Sequence, residues 1–197
     1  QDILRGLAAI SATYFDQSFD ELIEYVPGGP PNFKGTYGNL RGATSRGMEV
    51  ELRTAAQRGW SGRASVTWLR AVVSELAPGY TGTARVGDEL LRRPRKTGGL
   101  SLLFTGGNGA SSALSVRHLG KRPDLDFRTF PSKRVTLPGV TVADLAGMFP
   151  LVRSGRAPIA LTLRVDNIFD KRFQEVFNFD APGRRILLGG RIEALLR

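Results

Sequence analysis

Few residues in this chain have the types and spacing that catalysis requires. The sequence contains no cysteine, which excludes disulfide bonds, zinc–thiolate sites and thiol catalysis. Its single histidine, His118, falls at the end of a predicted strand, without a serine or carboxylate at a spacing typical of a catalytic arrangement. A structural or loop-facing histidine is the simpler interpretation, so we expect that the protein is not an enzyme.

The carboxylates and the glycine-rich segment do not form a recognisable metal or cofactor site. Asp124 and Asp126 alternate in a long predicted loop, but two carboxylates fall short of the oxygen ligands that calcium needs. Residues 106–109 lack the Gly-Lys-Ser/Thr sequence and the following helix of a phosphate-binding loop. A second acidic group is interpreted as a solvated strand edge: Asp20, Glu21 and Glu24. We therefore expect no cofactor and no bound metal.

The net charge of +10 and the pI near 10.8 are typical of proteins that bind nucleic acid. However, the 28 lysines and arginines are spread along the chain. The densest group, residues 92–96, contains Pro94, which prevents a continuous basic helix. Solvated or lumen-facing charges explain the composition better. A soluble basic β-protein that binds nucleic acid is kept as the alternative hypothesis.

The elements that position these residues are predicted to be strands, because apolar and polar residues alternate with a period of two. Residues 48–53 read Met-Glu-Val-Glu-Leu-Arg, and residues 159–166 alternate in the same way. A strand places every second residue on one face, whereas a helix cannot keep them on one stripe. The protein is therefore predicted to be all-β.

The alternation predicts about eight antiparallel strands, with approximate bounds 7–25, 39–55, 60–75, 93–104, 111–119, 138–150, 158–169 and 185–195. Short glycine-bearing turns are predicted at 56–59, 105–110 and 153–157, and longer polar loops at 26–38, 76–92, 120–137 and 170–184. Short turns that alternate with long loops are typical of a transmembrane barrel.

The strand lengths and the two faces also fit a membrane. A strand of about ten residues tilted by about 45° spans about 24 Å, the height of the apolar band of an outer-membrane barrel. Four aromatic residues are expected near strand ends or on the apolar face: Trp60, Trp68, Phe104 and Phe149. The other face carries charges that must line a wet or protein-filled lumen: Glu49, Glu51, Arg53, Arg63, Arg117, Arg164, Asp166, Arg191 and Glu193. Because a lumen of only eight strands is too narrow for them, we favour a wider barrel.

Three stretches of the sequence resemble the TonB-dependent receptors of outer membranes. Residues 12–25 carry an aromatic pair followed by an acidic Leu-Ile segment. Residues 39–51 resemble the family strand Asn-x3-Ala-x3-Gly-x-Glu-x-Glu. Residues 142–184 resemble the closing strands, with Asn-Ile-Phe-Asp-Lys at 167–171 and Pro-Gly-Arg at 182–184. The resemblance covers essentially the whole chain, in the order of the family.

The residues that carry this signature are given a structural rather than a ligand-binding interpretation: Asn39, Gly47, Glu49, Asp166, Asn167, Phe169, Asp170, Pro182, Gly183 and Arg184. Asn167 and Asp170 are expected to mark the point where the penultimate strand leaves the membrane. Pro182 and Gly183 are expected to turn the loop back, so that Arg184 begins the last strand.

The resemblance implies a barrel of about 22 strands with an N-terminal plug in its lumen. Residues 1–197 would be the C-terminal part of that barrel, an antiparallel transmembrane segment without the plug domain. The implied function is uptake of a scarce nutrient, such as a ferric siderophore, haem or cobalamin, at the outer membrane. The implied partners are a TonB-type energy-coupling protein engaged through the missing N-terminal part, outer-membrane lipid, and a small-molecule or metal-chelate ligand, with no nucleic acid.

The two ends of the chain bear on this expectation. Residues 1–5 lack the features of a signal peptide, so we expect that the chain is a fragment of a longer protein. The family usually ends in an aromatic residue, whereas this sequence ends in Ala-Leu-Leu-Arg at 194–197. The loops do not identify the substrate, although residues 177–184 look closer to cobalamin and siderophore receptors than to the large polysaccharide-linked ones.

Overall fold

A computed structural model describes residues 2–3, 7–153 and 158–192. Part of the turn predicted at 153–157, Glu193 and the chain end at 194–197 lie outside the described residues. The main element is one antiparallel sheet of nine strands, in which eight long strands follow the two-residue β1 (Asp2–Ile3). The long strands, each paired with the next, are β2 (Ala8–Asp20), β5 (Gly42–Gln57), β6 (Trp60–Glu75), β7 (Lys96–Thr105), β8 (Ser111–Leu119), β11 (Val140–Val152), β12 (Ile159–Asp166) and β15 (Arg185–Ile192).

Three small hairpins occupy the long connections between these strands. They are β3 (Ile23–Val26) with β4 (Thr36–Asn39), β9 (Arg122–Asp126) with β10 (Lys133–Leu137), and β13 (Gln174–Val176) with β14 (Phe179–Asp180). The connections were predicted to be polar loops, and this prediction was wrong where they form hairpins. Strands this short, with mixed polarity, carry too few alternating residues for the period to be detected. The predicted all-β, antiparallel architecture is confirmed.

The first two predicted strands, 7–25 and 39–55, were wrong at their loop ends. Glu21 and Arg41 adopt a left-handed backbone conformation, with φ of 57° and 75°. The amide of Glu21 donates a hydrogen bond to the carbonyl of Arg41, with N and O 2.5 Å apart. Both strands therefore break at the same level, and the chain continues beyond the break as the separate β3–β4 hairpin.

The short turn between β5 and β6 is a tight turn that packs closely against the end of β7. Arg58 and Gly59 have φ of 49° and 86°, the pair of left-handed residues that a type I′ turn requires. A Cβ at Gly59 would lie 2.3 Å from the carbonyl oxygen of Thr105. Glycine is thus required here both by the backbone conformation and by the neighbouring strand.

The cross-strand register gives the sheet two continuous faces of opposite character. A row on the polar face follows neighbouring strands through Thr13, Glu49, Thr67 and Thr97. A row on the apolar face passes through Ile10, Leu52, Ala64, Leu100 and Val116. The register also places all four predicted boundary aromatics on the apolar face: Trp60, Trp68, Phe104 and Phe149. The rings of Trp60 and Phe104 lie 4.8 Å apart.

No second layer packs on the apolar face within the part of the chain that the structure describes. Tyr14, Ile186 and Leu188 are 70%, 68% and 72% exposed. A sheet in water must bury its apolar face against another layer, whereas a membrane barrel turns this face to lipid. Among the described residues, no helix combines the length and the apolar character needed to cross a membrane. The small buried core lies instead at the loop end, around Leu40 and Val73.

Candidate functional site

The most densely bonded polar side chains lie where the long connections meet at one end of the sheet. We call these connections the loop layer, comprising residues 21–41, 76–95, 120–139 and 167–184. Asp124 of β9 is completely buried at 0% exposure. Its carboxylate accepts hydrogen bonds from Arg92 Nε at 2.9 Å and from the amides of Leu125 and Phe177 at 2.9 and 2.7 Å. One carboxylate thus joins three of the four connections.

Arg122 makes a second junction beside Asp124. It is 4% exposed and donates from its guanidinium to the carbonyl of Gln174, at 2.5 Å, and to that of Gly120, at 3.4 Å. Burial lowers the pKa of Arg122 from its usual value, while the charges of Glu175 and Asp124 oppose this shift. The β9–β10 hairpin is therefore tied to the β13–β14 hairpin by a buried cation, which bonds to Gln174, as well as by a buried anion, which bonds to Phe177.

Tyr80 ties the remaining connection into the loop layer. Its hydroxyl donates to Glu24 Oε2 at 2.6 Å, while its ring packs on the buried cluster of Leu40 and Val73. Burial, followed by the hydrogen bond to Glu24, raises the pKa of Tyr80 to about 12. Arg134 of β10 donates to the carbonyl of Glu89 at 2.6 Å. All four connections are thus linked to one another.

The two loop carboxylates considered as cation ligands are both engaged by arginines. Asp126 accepts from Arg128 at 2.8 Å, and this hydrogen bond lowers the pKa of Asp126 to about 2. The guanidinium carbon of Arg128 also lies 5.1 Å from the centroid of the Phe177 ring, a cation–π contact. Within the described ranges, no group of three or more histidines and carboxylates is placed to hold a metal ion.

Beneath the loop layer, the polar face of the sheet borders a cavity of about 600 Å³. Its charged lining includes Arg117, Arg164, Asp166, Glu175 and Arg185. Asp166 accepts from Arg164 at 2.6 Å and from Arg185 at 2.9 Å, and Arg117 pairs with Glu175 at 2.9 Å. Phe173 and Phe179 add aromatic surface. The lining thus combines paired charges with aromatic surface.

A smaller cavity of about 340 Å³ lies under the first two connections. Its lining is mainly apolar and includes Phe19, Leu22, Leu69 and Leu90. The loop end of the sheet therefore offers two chambers of different polarity on the same face.

Asn167, at the end of β12, organises the connection to β15. It has φ of 50° and is 4% exposed. Its amide donates to Asp144 Oδ1 at 2.7 Å, and its side-chain nitrogen donates to the carbonyls of Lys171 and Pro182 at 2.9 and 3.4 Å. Its side-chain oxygen accepts from the amide of Lys171 at 2.9 Å. Every polar group of the side chain is used within the protein.

Asp170 and Arg184 close the same connection. Asp170 has φ of 51°, and its Oδ1 accepts from the amide of Arg184 at 2.8 Å. A Cβ at Gly183 would lie 2.9 Å from that oxygen. Phe169, between Asn167 and Asp170, is 68% exposed. The structure thus brings the signature residues of 166–184 together in one segment.

The remaining signature residues lie elsewhere, in β4 and β5. Asn39 ends β4, and its side-chain oxygen accepts from the amide of Arg41 at 2.6 Å. Gly47 leaves room for Phe15, since a Cβ would lie 2.5 Å from that ring. Glu49 is on the polar face of β5. These three positions are not part of the connection that Asn167 organises.

Reasoning from the sequence missed the junctions in the loop layer. Arg92 was considered only as part of the basic group 92–96, Arg122 was not singled out, and Asp124 was considered only as a partial cation ligand. Two of the three partners of Asp124, Arg92 and Phe177, lie 32 and 53 residues away in the sequence. No local pattern marks such contacts, because they depend on how the connections fold over one another.

A family model, a curated relative and solved structures were compared with this chain. The family model described as TonB dependent receptor-like, beta-barrel matches residues 2–168. The vitamin B12 transporter BtuB of Vibrio cholerae is 28% identical over 76 residues, which are 39% of this chain and 12% of the transporter.

Solved structures share the fold over almost the whole chain. The siderophore receptor PiuA of Acinetobacter baumannii superposes with a TM-score of 0.69 at 16% identity, covering 97% of this chain and 26% of the receptor. The pyoverdine receptor FpvA of Pseudomonas aeruginosa gives a TM-score of 0.68 at 16% identity, covering 96% of this chain and 28% of the receptor. The chain therefore spans about a quarter of the length of these receptors. The resemblance seen in the sequence is confirmed: the chain belongs to the TonB-dependent receptor family, in the region of its β-barrel.

Proposed function

We propose that residues 1–197 form the C-terminal part of the barrel of an outer-membrane receptor that takes up a scarce nutrient by TonB-dependent transport. The observation that carries this proposal is the single-layered sheet, apolar on one face and charged on the other. An Arg facing lipid at mid-bilayer costs about 2–4 kcal/mol. The charged face must therefore line the lumen, and the apolar face must meet lipid.

The cavity beneath the loop layer is the proposed place where this part of the barrel meets its ligand. It lies on the polar face at the end with the long connections, which is the extracellular end in outer-membrane barrels. BtuB is a vitamin B12 transporter, and the FpvA structure contains pyoverdine. A cobalamin or a ferric siderophore is accordingly the class of ligand that we propose, with haem as a further member.

We infer that Asn167 and Asp170, within the signature segment 166–184, hold the last two strands together and are not ligand-binding residues, although Asp166 of the same segment lines the proposed ligand cavity. The support is the use of every polar group of the Asn167 side chain in hydrogen bonds to the protein itself. Asp170 is engaged in the same way by the amide of Arg184. Groups already satisfied within the chain have little capacity left for a ligand.

The plug and the contact with the energy-coupling protein are assigned to parts of the receptor outside residues 1–197. The described residues are all used in the sheet and its connections. In this proposal, the charged polar face provides the wall against which the plug rests.

The test is fractionation and uptake with the full-length gene. We expect the protein in the detergent-extracted outer membrane, and we expect a deletion strain to lose growth on a ferric siderophore or cobalamin as sole source of iron or corrin. Loss of the energy-coupling protein should abolish the same growth. Recovery of the full-length protein in the soluble fraction would overturn the proposal.

The net charge of +10 is the one observation that favours nucleic-acid binding. Several of the arginines that contribute to it are held in ion pairs, among them Arg92 with Asp124 and Arg117 with Glu175. Salt-sensitive retention of the soluble protein on DNA or RNA would support this alternative. If the protein is not retained on DNA or RNA even at low salt, nucleic-acid binding is excluded.

A further inference from the structure

The smaller cavity under the first two connections, of about 340 Å³, has aliphatic walls although it lies on the polar face of the sheet. We call it the apolar chamber. Strands β2, β5 and β6 and the connections 21–41 and 76–95 form its walls, and the side chains there are mainly aliphatic: Leu22, Leu40, Leu69, Ala71, Val73 and Leu90. Apolar surface that borders water gains free energy when an apolar group covers it. The apolar chamber is therefore suited to an apolar ligand group.

Hydrogen bonds of the backbone hold the walls of the apolar chamber in place. The amide of Leu90 donates to the carbonyl of Ala71 at 2.9 Å, and the amide of Leu40 donates to that of Leu22 at 2.7 Å. Leu40 and Val73 are each only 2% exposed, so the wall behind the cavity is closely packed. The two connections are thus fixed to the strands and to each other, and the chamber is preformed, as small-molecule sites usually are.

The carboxylates that line the apolar chamber are engaged within the protein. Glu24 accepts a hydrogen bond from the hydroxyl of Tyr80 at 2.6 Å. Glu89 forms an ion pair with Arg95. Neither carboxylate is left to attract a cationic ligand on its own.

The two arginines that line the apolar chamber differ in their partners. Arg134 donates to the carbonyl of Glu89 at 2.6 Å and lies 3.5 Å from the carboxylate of Asp88. Arg93 is exposed, and it forms no ion pair within the part of the chain that the structure describes. The apolar chamber therefore combines aliphatic walls with one uncompensated positive charge.

We propose that the apolar chamber binds an aliphatic chain that carries an anionic group, with the chain between the aliphatic walls and the anion at Arg93. A hydrocarbon chain has no polar atoms that would lose hydrogen bonds to water on entering such walls. The larger cavity, lined by paired charges, does not offer this environment. The chain belongs either to an acyl tail of the transported ligand or to a free fatty acid. In the first case the inference deepens the proposed function and rests on it.

The test uses the full-length receptor in lipid nanodiscs and a decanoic acid derivative with a photoreactive diazirine at the end of its chain. Illumination couples the chain to the residues around it, and mass spectrometry identifies them. We expect saturable coupling within residues 69–73 and 84–91, which contribute to the walls, and we expect unlabelled decanoate to displace it. Each methylene removed from the competitor should weaken displacement about fourfold at equal free concentration.

Ser45→Leu tests the walls by filling the apolar chamber. Ser45 lines the cavity and lies opposite Ala71 in the register. The matched control is Ser65→Leu, the same change at a residue of the polar face that does not line the cavity. We expect Ser45→Leu to lower the affinity at least about tenfold, because leucine takes the space of two or more methylenes of the ligand. The control should bind like the wild type.

Arg93→Gln tests the anion contact. Because Arg93 is exposed, we expect the affinity for decanoate to fall about two- to fivefold and the affinity for decanol to stay unchanged. Arg172→Gln, which removes an exposed arginine from another connection, is the control and should change neither affinity. An equal fall for decanoate and decanol in Arg93→Gln overturns the anion contact.

The remaining outcomes separate the sources of the chain and the two proposals. A ferric siderophore with a fatty acyl tail that competes, while the same chelate without the tail does not, identifies the transported ligand as the source. Competition by decanoate but not by the acylated chelate identifies a free fatty acid. Coupling that does not saturate, or that is equal in Ser45→Leu and Ser65→Leu, overturns the apolar chamber as a site. Recovery of the wild type in the soluble fraction overturns the proposed function instead. Arg93→Gln, a surface change, keeps the test decisive if Ser45→Leu fails to fold.

Discussion

Asn167 combines a backbone conformation and a set of hydrogen bonds that few residue types provide together. Its φ of 50° disfavours most side chains other than asparagine and glycine, and its side chain bonds to Lys171 and Pro182. We expect Asn167→Ala to lower the free energy of unfolding of the full-length receptor by about 2–4 kcal/mol, measured with denaturant in detergent or lipid.

Asn178 provides the control for this substitution. It also has a positive φ, 67°. Its backbone amide donates a hydrogen bond to the side-chain oxygen of Gln174, and this bond does not involve the asparagine side chain. Asn178→Ala should therefore cost only the backbone penalty, about 1–2 kcal/mol. Equal losses in the two variants would show that the side-chain hydrogen bonds of Asn167 contribute nothing.

Tyr80 makes the loop layer sensitive to alkaline pH. Its pKa is raised to about 12 from the ordinary value of 10.0 by burial and by the hydrogen bond to Glu24. The folded-state pKa lies above the unfolded one, so this contribution to stability is complete below about pH 10 and is lost as the pH rises toward 12. We expect Tyr80→Phe to remove a component that ionises near pH 12 from a tyrosinate absorbance titration. The exposed Tyr37 provides the control, since Tyr37→Phe should leave that component in place.

At the scale of elements, Asp124 decides whether the connections behave as one unit. Asp124→Ala leaves the amides of Leu125 and Phe177 and the Arg92 side chain without their common acceptor. We expect a loss of about 2–4 kcal/mol and faster proteolysis within both 120–139 and 167–184. Asp126→Asn affects only a contact to Arg128, two residues away, and should leave the two segments protected. Cleavage confined to one segment would contradict the proposed junction.

The β5–β6 turn sets the register of the two longest strands. Gly59→Ala would combine a φ of 86° with a Cβ 2.3 Å from the Thr105 carbonyl oxygen, so we expect destabilisation of about 1–3 kcal/mol. Gly107→Ala, where no atom lies within 4 Å of the new Cβ, is the matched control. The temperature at which the receptor loses its compact form in gel electrophoresis would measure both. Equal temperatures for the two variants would contradict a special role for Gly59.

At the scale of the whole molecule, the faces of the sheet determine which side chains meet water. Residues 1–197 contain no cysteine, so an introduced cysteine is the only thiol that this part of the receptor contributes. We expect Thr67→Cys, on the polar face, to react with a water-soluble maleimide in purified membranes. Val66→Cys, on the apolar face, should react only after extraction and unfolding. Equal labelling at both positions in the membrane would contradict a lipid-facing sheet.

The sequence by itself determined the eight long strands, apart from the loop ends of the first two, and with them their antiparallel order and the two faces of the sheet. Alternation in segments such as 48–53 and 159–166 is a local property, because side chains of a strand point to opposite faces whatever the strand packs against. The Asn-Ile-Phe-Asp and Pro-Gly-Arg stretches were likewise readable, since they depend on turn chemistry within a few residues.

Only the tertiary structure decided how the connections fold. The strand breaks at Glu21 and Arg41 require each other across the hairpin, and the burial of Asp124 requires partners 32 and 53 residues away. Likewise, only the register between β5 and β6 places Arg46 directly opposite Arg70. Contacts between residues far apart in sequence depend on the three-dimensional path of the chain, which a local period of two does not encode.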